Sequence, residues 1–208
     1  NMLSHYLKTA LRVLSREKGL AFINILGLSI GLACFCMFLL YAVNEFSFDR
    51  FHKNEKDIYR VYAWKKNAQT NENLFSVSMS MPLGPSLQKD LPEVKDYVRV
   101  KTVKDEAVMR ISDELHSLQV TYADPSLFSV FSFPLKHGNG QNALAAKNNL
   151  VLSASRAKAL FGKEDVVGQV VQIRMDNQFT PFVVSAIAED VPANSTIRFD
   201  VLASFQFL

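Results

Sequence analysis

The stretch LAFINILGLSIGLACFCMFLLYAV, residues 20–43, carries no charged side chain. As a helix rising about 1.5 Å per residue, it is long enough to cross a hydrocarbon core about 30 Å thick. It is apolar on nearly all faces, which argues against an amphipathic helix in the core of a soluble protein. A cleaved leader fits poorly too, because leaders have apolar cores of about 7–15 residues followed by a small-x-small site. Asn44-Glu45-Phe46-Ser47-Phe48 offers no such site. The stretch predicts a retained transmembrane helix, and everything else is read relative to a bilayer.

Upstream, Leu3, Tyr6, Leu7, Ala10, Leu11 and Leu14 recur at helical spacing over residues 3–15, with His5, Lys8, Arg12 and Arg16 mostly on the other side. This pattern predicts a basic amphipathic helix on the membrane surface, bent away from the span at Gly19. The alternative is a plain helical extension of the span. Lys8, Arg12, Arg16 and Lys18 are the membrane-surface basic residues. Arg50, Lys53, Lys56 and Arg60 match them in number on the far side. The upstream charges lie nearer the membrane edge, and long domains translocate largely regardless of charge. The expected orientation therefore has the N-terminus in the cytoplasm and the main domain outside. Within the span, Gly27 and Gly31 form a G-x-x-x-G pair; with Asn24 and Ser29 they predict a face that packs on another helix.

About 165 residues follow Val43, enough for one domain with its own core. The only two cysteines, Cys34 and Cys36, lie in the span and are poorly placed to pair, so the downstream domain has no disulfide framework. The net charge of +3 is too small to argue for nucleic acid. Residues 44–57 form a polar-aromatic junction containing Phe46, Phe48 and Phe51. Strands are expected at 58–64, 74–81, 97–103, 107–111, 115–123, around 171–175, at 182–188 and within 197–207, with a polar turn at 67–73. Pro82 opens a helix through residue 91, and Asp124-Pro125 begins a helical turn. Residues 136–149 read as loop. Ser153 caps a helix over 154–161 that Gly162 ends. Residues 190–195 form a turn. The fold class is α+β.

No phosphate-binding loop of the G-x-x-x-x-G-K-[ST] type is present. His5, His52, His116 and His137 are scattered and read as ordinary surface or interface histidines, so no metal site is expected. No serine sits in a G-x-S-x-G context. Glu189 and Asp190 read as solvated turn residues rather than acid-base machinery. No catalytic residue and no cofactor is expected on the chain.

Motifs in order along nearly the whole chain carry a resemblance. They are residues 7–12 (LKTALR), 23–33 (INILGLSIGLA), 45–52 (EFSFDRFH), 58–61 (IYRV), 92–94 (PEV), 123–128 (ADPSLF), 151–153 (VLS), 160–162 (LFG), 167–168 (VG) and 190–195 (DVPANS). On these the chain resembles the N-terminal part of FtsX-like, MacB-type ABC transporter permeases. The resemblance implies an amphipathic helix, a first membrane helix, a large extracytoplasmic domain and three further membrane helices. It also implies dimerisation and a cytoplasmic ATPase partner that binds the ATP. Family members drive their outer domain mechanically; some expel peptides, antibiotics or lipoprotein-type cargo, and others regulate cell-wall enzymes. The domains expected on this basis are 1–19, the interfacial helix; 20–43, the membrane helix; 44–57, the junction; and 58–208, a MacB-like periplasmic core domain in which residues 58–111 and 182–208 flank an inserted subdomain. Because the chain stops at Leu208 and Asn1 precedes Met2, an N-terminal piece of a longer permease of the bacterial inner membrane is expected.

Three functions compete at this level. The first is a permease subunit coupling a separate ATPase to an outer domain that binds cargo or a periplasmic partner. The second is a single-pass sensor or binding module. The third is an anchored enzyme, which the missing site disfavours.

Overall fold

The computed structural model describes residues 2–208 except 67, 68, 70, 72, 104, 105, 176 and 177. The chain divides into two units, Asn1–Phe48 and Asp49–Leu208. The expected turn at 67–73 falls largely outside the described residues.

The first unit holds α1 (Met2–Arg16) and α2 (Lys18–Phe46). The side chains of Leu3, Leu7, Leu11 and Leu14, which carry most of the expected apolar stripe, lie outside those described. The break between the helices falls at Glu17, whose backbone is non-helical (φ −103°, ψ 54°), and not at Gly19. The Ala21 N–H already donates to the Glu17 carbonyl at 3.0 Å, so Gly19 sits inside the first turn of α2 and its backbone freedom is not needed. The 29 residues of α2 extend the expected span at both ends and give a rod of about 43 Å. None of them is buried, as suits a helix whose solvent is lipid rather than a protein core. Ser47 closes the helix, its N–H at 3.1 Å and its hydroxyl at 2.7 Å from the Asn44 carbonyl.

The second unit begins with a 3-10 turn at Glu55–Asp57. Strands β1 (Ala63–Lys66) and β2 (Asn73–Ser76) form a separate antiparallel pair, shorter than the runs expected at 58–64 and 74–81. Helix α3 (Leu83–Asp90) follows Pro82. The remaining strands are β3 (Val100–Thr102), β4 (Ala107–Ile111), β5 (Glu114–Leu118), β6 (Thr121–Ala123), β7 (Leu135–His137), β8 (Asn149–Ser153), β9 (Val170–Met175), β10 (Gln178–Ala188) and β11 (Val201–Ser204). Helix α4 (Leu127–Val130) follows β6, and α5 (Ala154–Phe161) follows β8. These nine strands make one mixed sheet in the order β3-β6-β11-β8-β10-β9-β4-β5, with β7 also pairing β10. β8 runs parallel to β10 and β6 parallel to β11. The division drawn from the sequence at Ile111 and Phe182 falls inside this sheet, because β10 pairs with β8 and β9 and β11 with β6 and β8.

Alternation along the central strands explains why both faces are covered. Leu150, Leu152, Val201 and Ala203 point to one face, where Ala154 and Ala157 of α5 close the core. Val151 and Leu202 point to the other, beneath Leu127, Phe133, Leu144 and Phe199. Strands buried on both sides carry near-continuous apolar runs. Helix α5 forms as its local signals dictate: the Ser153 side chain accepts the Arg156 N–H, and Gly162 ends it in the left-handed region (φ 72°).

Strand β7 was read as loop from the sequence, because its pairing partners His137↔Ile187 and Leu135↔Ala188 are remote. The register of β10 against β8 slips between Val184 and Ala186. At that irregularity the Ser185 hydroxyl lies within reach of the Ala143 and Leu150 carbonyls. Gly138 crosses it with φ +92°, where an added Cβ would stand 2.7 Å from both the Ala186 Cβ and the Ser185 oxygen. Neither neighbour is a flexible chain end, so Gly138→Ala is expected to cost roughly 1–3 kcal/mol. Thermal unfolding followed by circular dichroism checks this; an unchanged midpoint would contradict the close-approach account.

Candidate functional site

Three sequence-distant segments meet on the face of the sheet lined by Val151 and Leu202: residues 49–54, 126–133 and 193–199. The first belongs to the EFSFDRFH motif, directly after α2. Asp49 adopts φ 56°, a left-handed conformation that aspartate tolerates better than most residues. Its N–H donates to the Asn194 carbonyl at 3.0 Å. Its Oδ1 accepts the Thr196 N–H at 2.8 Å and lies 3.3 Å from the Ser195 hydroxyl. That hydroxyl is buried and also stands 3.0 Å from the Ile197 carbonyl, so one proton serves two acceptors. Arg198 closes the same turn, its guanidinium donating to the Ser195 and Ala193 carbonyls. The motif around Asp49 is thus clasped to the DVPANS turn.

His52 is buried, contrary to the reading of all four histidines as ordinary surface or interface residues. Its ring lies 4.0 Å from Phe51, 5.0 Å from Phe131 and 5.1 Å from Phe133, centroid to centroid. Nδ1 accepts the Ser132 N–H at 3.1 Å, which leaves the proton of the neutral ring on Nε2. Nε2 is buried without a hydrogen-bond partner among the described residues, and Asp49 Oδ1 at 4.0 Å is too far to supply one. The Lys53 N–H donates to the Ser132 hydroxyl at 2.9 Å, and the Asn54 amide to the Val130 carbonyl at 3.3 Å. Next to Phe51, His52 has an aromatic cluster to enter once residues 126–133 fold over it, which is why it is buried.

Two further ties hold motif residues. Asp124, buried at the end of β6, receives Arg99 through the backbone N–H at 2.8 Å, Nε at 2.8 Å and Nη2 at 2.7 Å. Arg99 also stacks on Phe205 at 4.2 Å and reaches the Met81 carbonyl at 3.0 Å. The hydrogen bond to Asp124 holds the guanidinium charged and raises its pKa. Asp190 is more than a solvated turn residue: it accepts the Ser155 N–H at 2.9 Å and its hydroxyl at 2.5 Å, at the start of α5. Those hydrogen bonds hold its carboxyl below the usual range.

Among the residues expected to act at the membrane, Lys8, Arg12 and Arg16 fall at four-residue intervals on α1 and are all exposed. Lys18 lies beyond the break and opens α2. Asn24, Gly27, Ser29 and Gly31 are exposed on α2, and a Cβ added at Gly27 or Gly31 would meet nothing within 4 Å. No group of three His, Cys, Asp or Glu side chains with metal-holding geometry is found among the described residues.

An apolar span followed by an α+β domain whose first residues are clasped into its own core defines a class of membrane-anchored domain. The chain belongs to the MacB-like periplasmic core domain family, matched over residues 21–208, a domain of ABC transporter permeases. A crystallised domain of a Porphyromonas gingivalis protein described as a permease shares 21% identity and a TM-score of 0.58, covering 71% of this chain and 61% of that one. The periplasmic region of MacB from Actinobacillus actinomycetemcomitans is 16% identical with a TM-score of 0.41, covering 60% and 54%. The extracellular domain of the noncanonic ABC-type transporter YknZ from Gram-positive bacteria is 18% identical with a TM-score of 0.39, covering 53% and 55%. The chain spans less than two thirds of each of these structures. No curated protein matches it.

Removing the Asp49 carboxylate leaves the Thr196 N–H unpaired and keeps the left-handed backbone, so Asp49→Ala should cost about 1–3 kcal/mol. Asp49→Asn retains an acceptor oxygen and should cost less; equal losses in denaturant unfolding would contradict the pairing. Burial pushes the His52 imidazole below its ordinary value, with Asp49 partly opposing. The unfolded chain therefore binds this proton more readily, so His52 contributes stability that is complete above about pH 6.5 and lost as pH falls. Asp190 behaves likewise only in the carboxylate range, its contribution present above its ordinary value and lost as pH falls through the lowered one. Unfolding midpoints between pH 7 and 5 should drop for the natural chain and flatten in His52→Gln; parallel curves would contradict the assignment.

Proposed function

We propose that this chain is a membrane-spanning permease subunit of an ABC transporter, coupling a separate cytoplasmic ATPase to an extracytoplasmic domain. In this reading the N-terminus is cytoplasmic and α1 lies on the inner surface of a bacterial plasma membrane, with Lys8, Arg12, Arg16 and Lys18 toward the lipid phosphates. The chain performs no chemistry of its own; ATP is bound by the partner. Gly27 and Gly31, with Asn24 and Ser29, pack α2 against a second permease copy or a paired subunit. The outer domain takes up peptide, antibiotic or lipoprotein-type cargo or a periplasmic partner.

The observation that carries the reading is the clasp. Helix α2 ends at Phe46, and Asp49 is already bonded to the turn that precedes β11. A helix followed so closely by a pinned residue leaves little slack in the chain, so axial or rotational displacement of the helix is passed on rather than absorbed by a linker.

Affinity purification of the tagged chain from its native membrane should recover an ABC ATPase, identified by mass spectrometry. The Asp49→Ala chain should recover it equally well yet support markedly less export, whereas export at the natural level would contradict mechanical coupling through the clasp. Gly27→Leu combined with Gly31→Leu should weaken self-association in a membrane two-hybrid assay, and unchanged association would remove the helix-packing role.

A further inference from the structure

Strands β1 and β2 form a two-stranded sheet separate from the nine-stranded one. Trp64 stands opposite Phe75 in the register. On that face the Tyr62 and Phe75 rings lie 5.0 Å apart and the Trp64 and Phe75 rings 5.4 Å apart. The cluster faces solvent: Trp64 is 69% exposed, Phe75 53% and Tyr62 50%, with Tyr59 at 83% just before it. Arg60 and Lys66 flank the rings and are exposed, and residues 58–66 and 73–77 contain no acid. Tyrosine and tryptophan beside basic residues suit the headgroup layer of a bilayer, where the ring is apolar, its N–H or O–H stays wet, and the cation meets phosphate. A bilayer is also at hand. Tyr59 follows Phe46, the last residue of the membrane helix, by only about a dozen residues along the chain.

We propose that the Tyr62, Trp64 and Phe75 face docks on the headgroup layer of an anionic bilayer, with Arg60 and Lys66 on lipid phosphates. The proposal rests on α2 spanning the membrane and not on coupling to an ATPase. It gives the outer domain a second, reversible hold on the bilayer. Apolar rings supply the affinity, and charge selects phosphatidylglycerol-type lipid over zwitterionic lipid.

Trp64 is the only tryptophan in the chain, so intrinsic fluorescence reads this face alone. The full chain is reconstituted into vesicles of phosphatidylglycerol and phosphatidylethanolamine, or of phosphatidylcholine, each with and without lipid brominated high on the acyl chain. Retention of the chain in the vesicles after alkaline washing reports α2 separately. The expected result is blue-shifted Trp64 emission, quenched by bromine in the anionic vesicles and quenched severalfold less in phosphatidylcholine or in Arg60→Glu/Lys66→Glu. Solvent-like, unquenched emission from a retained chain overturns the proposal. So does blue-shifted emission that bromine leaves untouched, which would mark a protein occupant such as a second copy. Equal quenching in both lipids overturns the anionic recognition.

Discussion

Asp49 takes the Thr196 N–H at 2.8 Å from a backbone held at φ 56°, and the packing of the first residues of the domain onto its sheet follows from that hydrogen bond. With Asp49 fixed, Phe51 and His52 come down on Phe133, and Phe133 meets Phe199 edge-on at 5.2 Å. The aromatic layer so formed covers the face of the sheet that α5 leaves open. A segment that would otherwise be a flexible junction becomes part of the core. The energies are individually small, a hydrogen bond of about 1 kcal/mol and ring contacts of about 0.5–1.5 kcal/mol each, but they act on one short stretch of chain.

The sheet supplies the rigid body on which the clasp closes. Its central strands are apolar on both faces, and the parallel pairs β8 with β10 and β6 with β11 stitch residues far apart in sequence into one layer. Arg99 on Asp124 and Asp190 on Ser155 fasten the ends of β6 and the start of α5 to the same layer. Asp124 lies in the ADPSLF stretch and Asp190 in the DVPANS stretch. Both carboxylates thus act as fasteners of the sheet.

Local signals were legible in the sequence where they were sufficient. The long uncharged run gave α2, Ser153 and Gly162 gave α5, and Asp124-Pro125 gave the turn into α4. Features set by remote partners were not. Strand β7 lies in a stretch rich in Gly and Asn and forms only because β10 offers it an edge. The last strand falls within the expected 197–207 at Val201–Ser204, but nothing local marked the preceding residues as part of the clasp. The break at Glu17 carried no glycine or proline to announce it. Asp49 and Thr196 are separated by 147 positions, so no spacing rule links them. The one available signal was chemical: a short polar residue among phenylalanines at 46–51, and a second polar cluster in the turn at 194–196, each needing a partner when buried. The packing face of α2 is an expectation from Asn24, Gly27, Ser29 and Gly31, all of which are exposed on the helix.

The exchange rate of the Thr196 amide tests the clasp most directly. In the natural chain, hydrogen–deuterium exchange should find the Thr196 N–H strongly protected, and Asp49→Ala should release it while amides in β8 and β10 stay protected. Exchange at Thr196 that is equally slow in both chains, or already fast in the natural one, would contradict a domain fastened through Asp49.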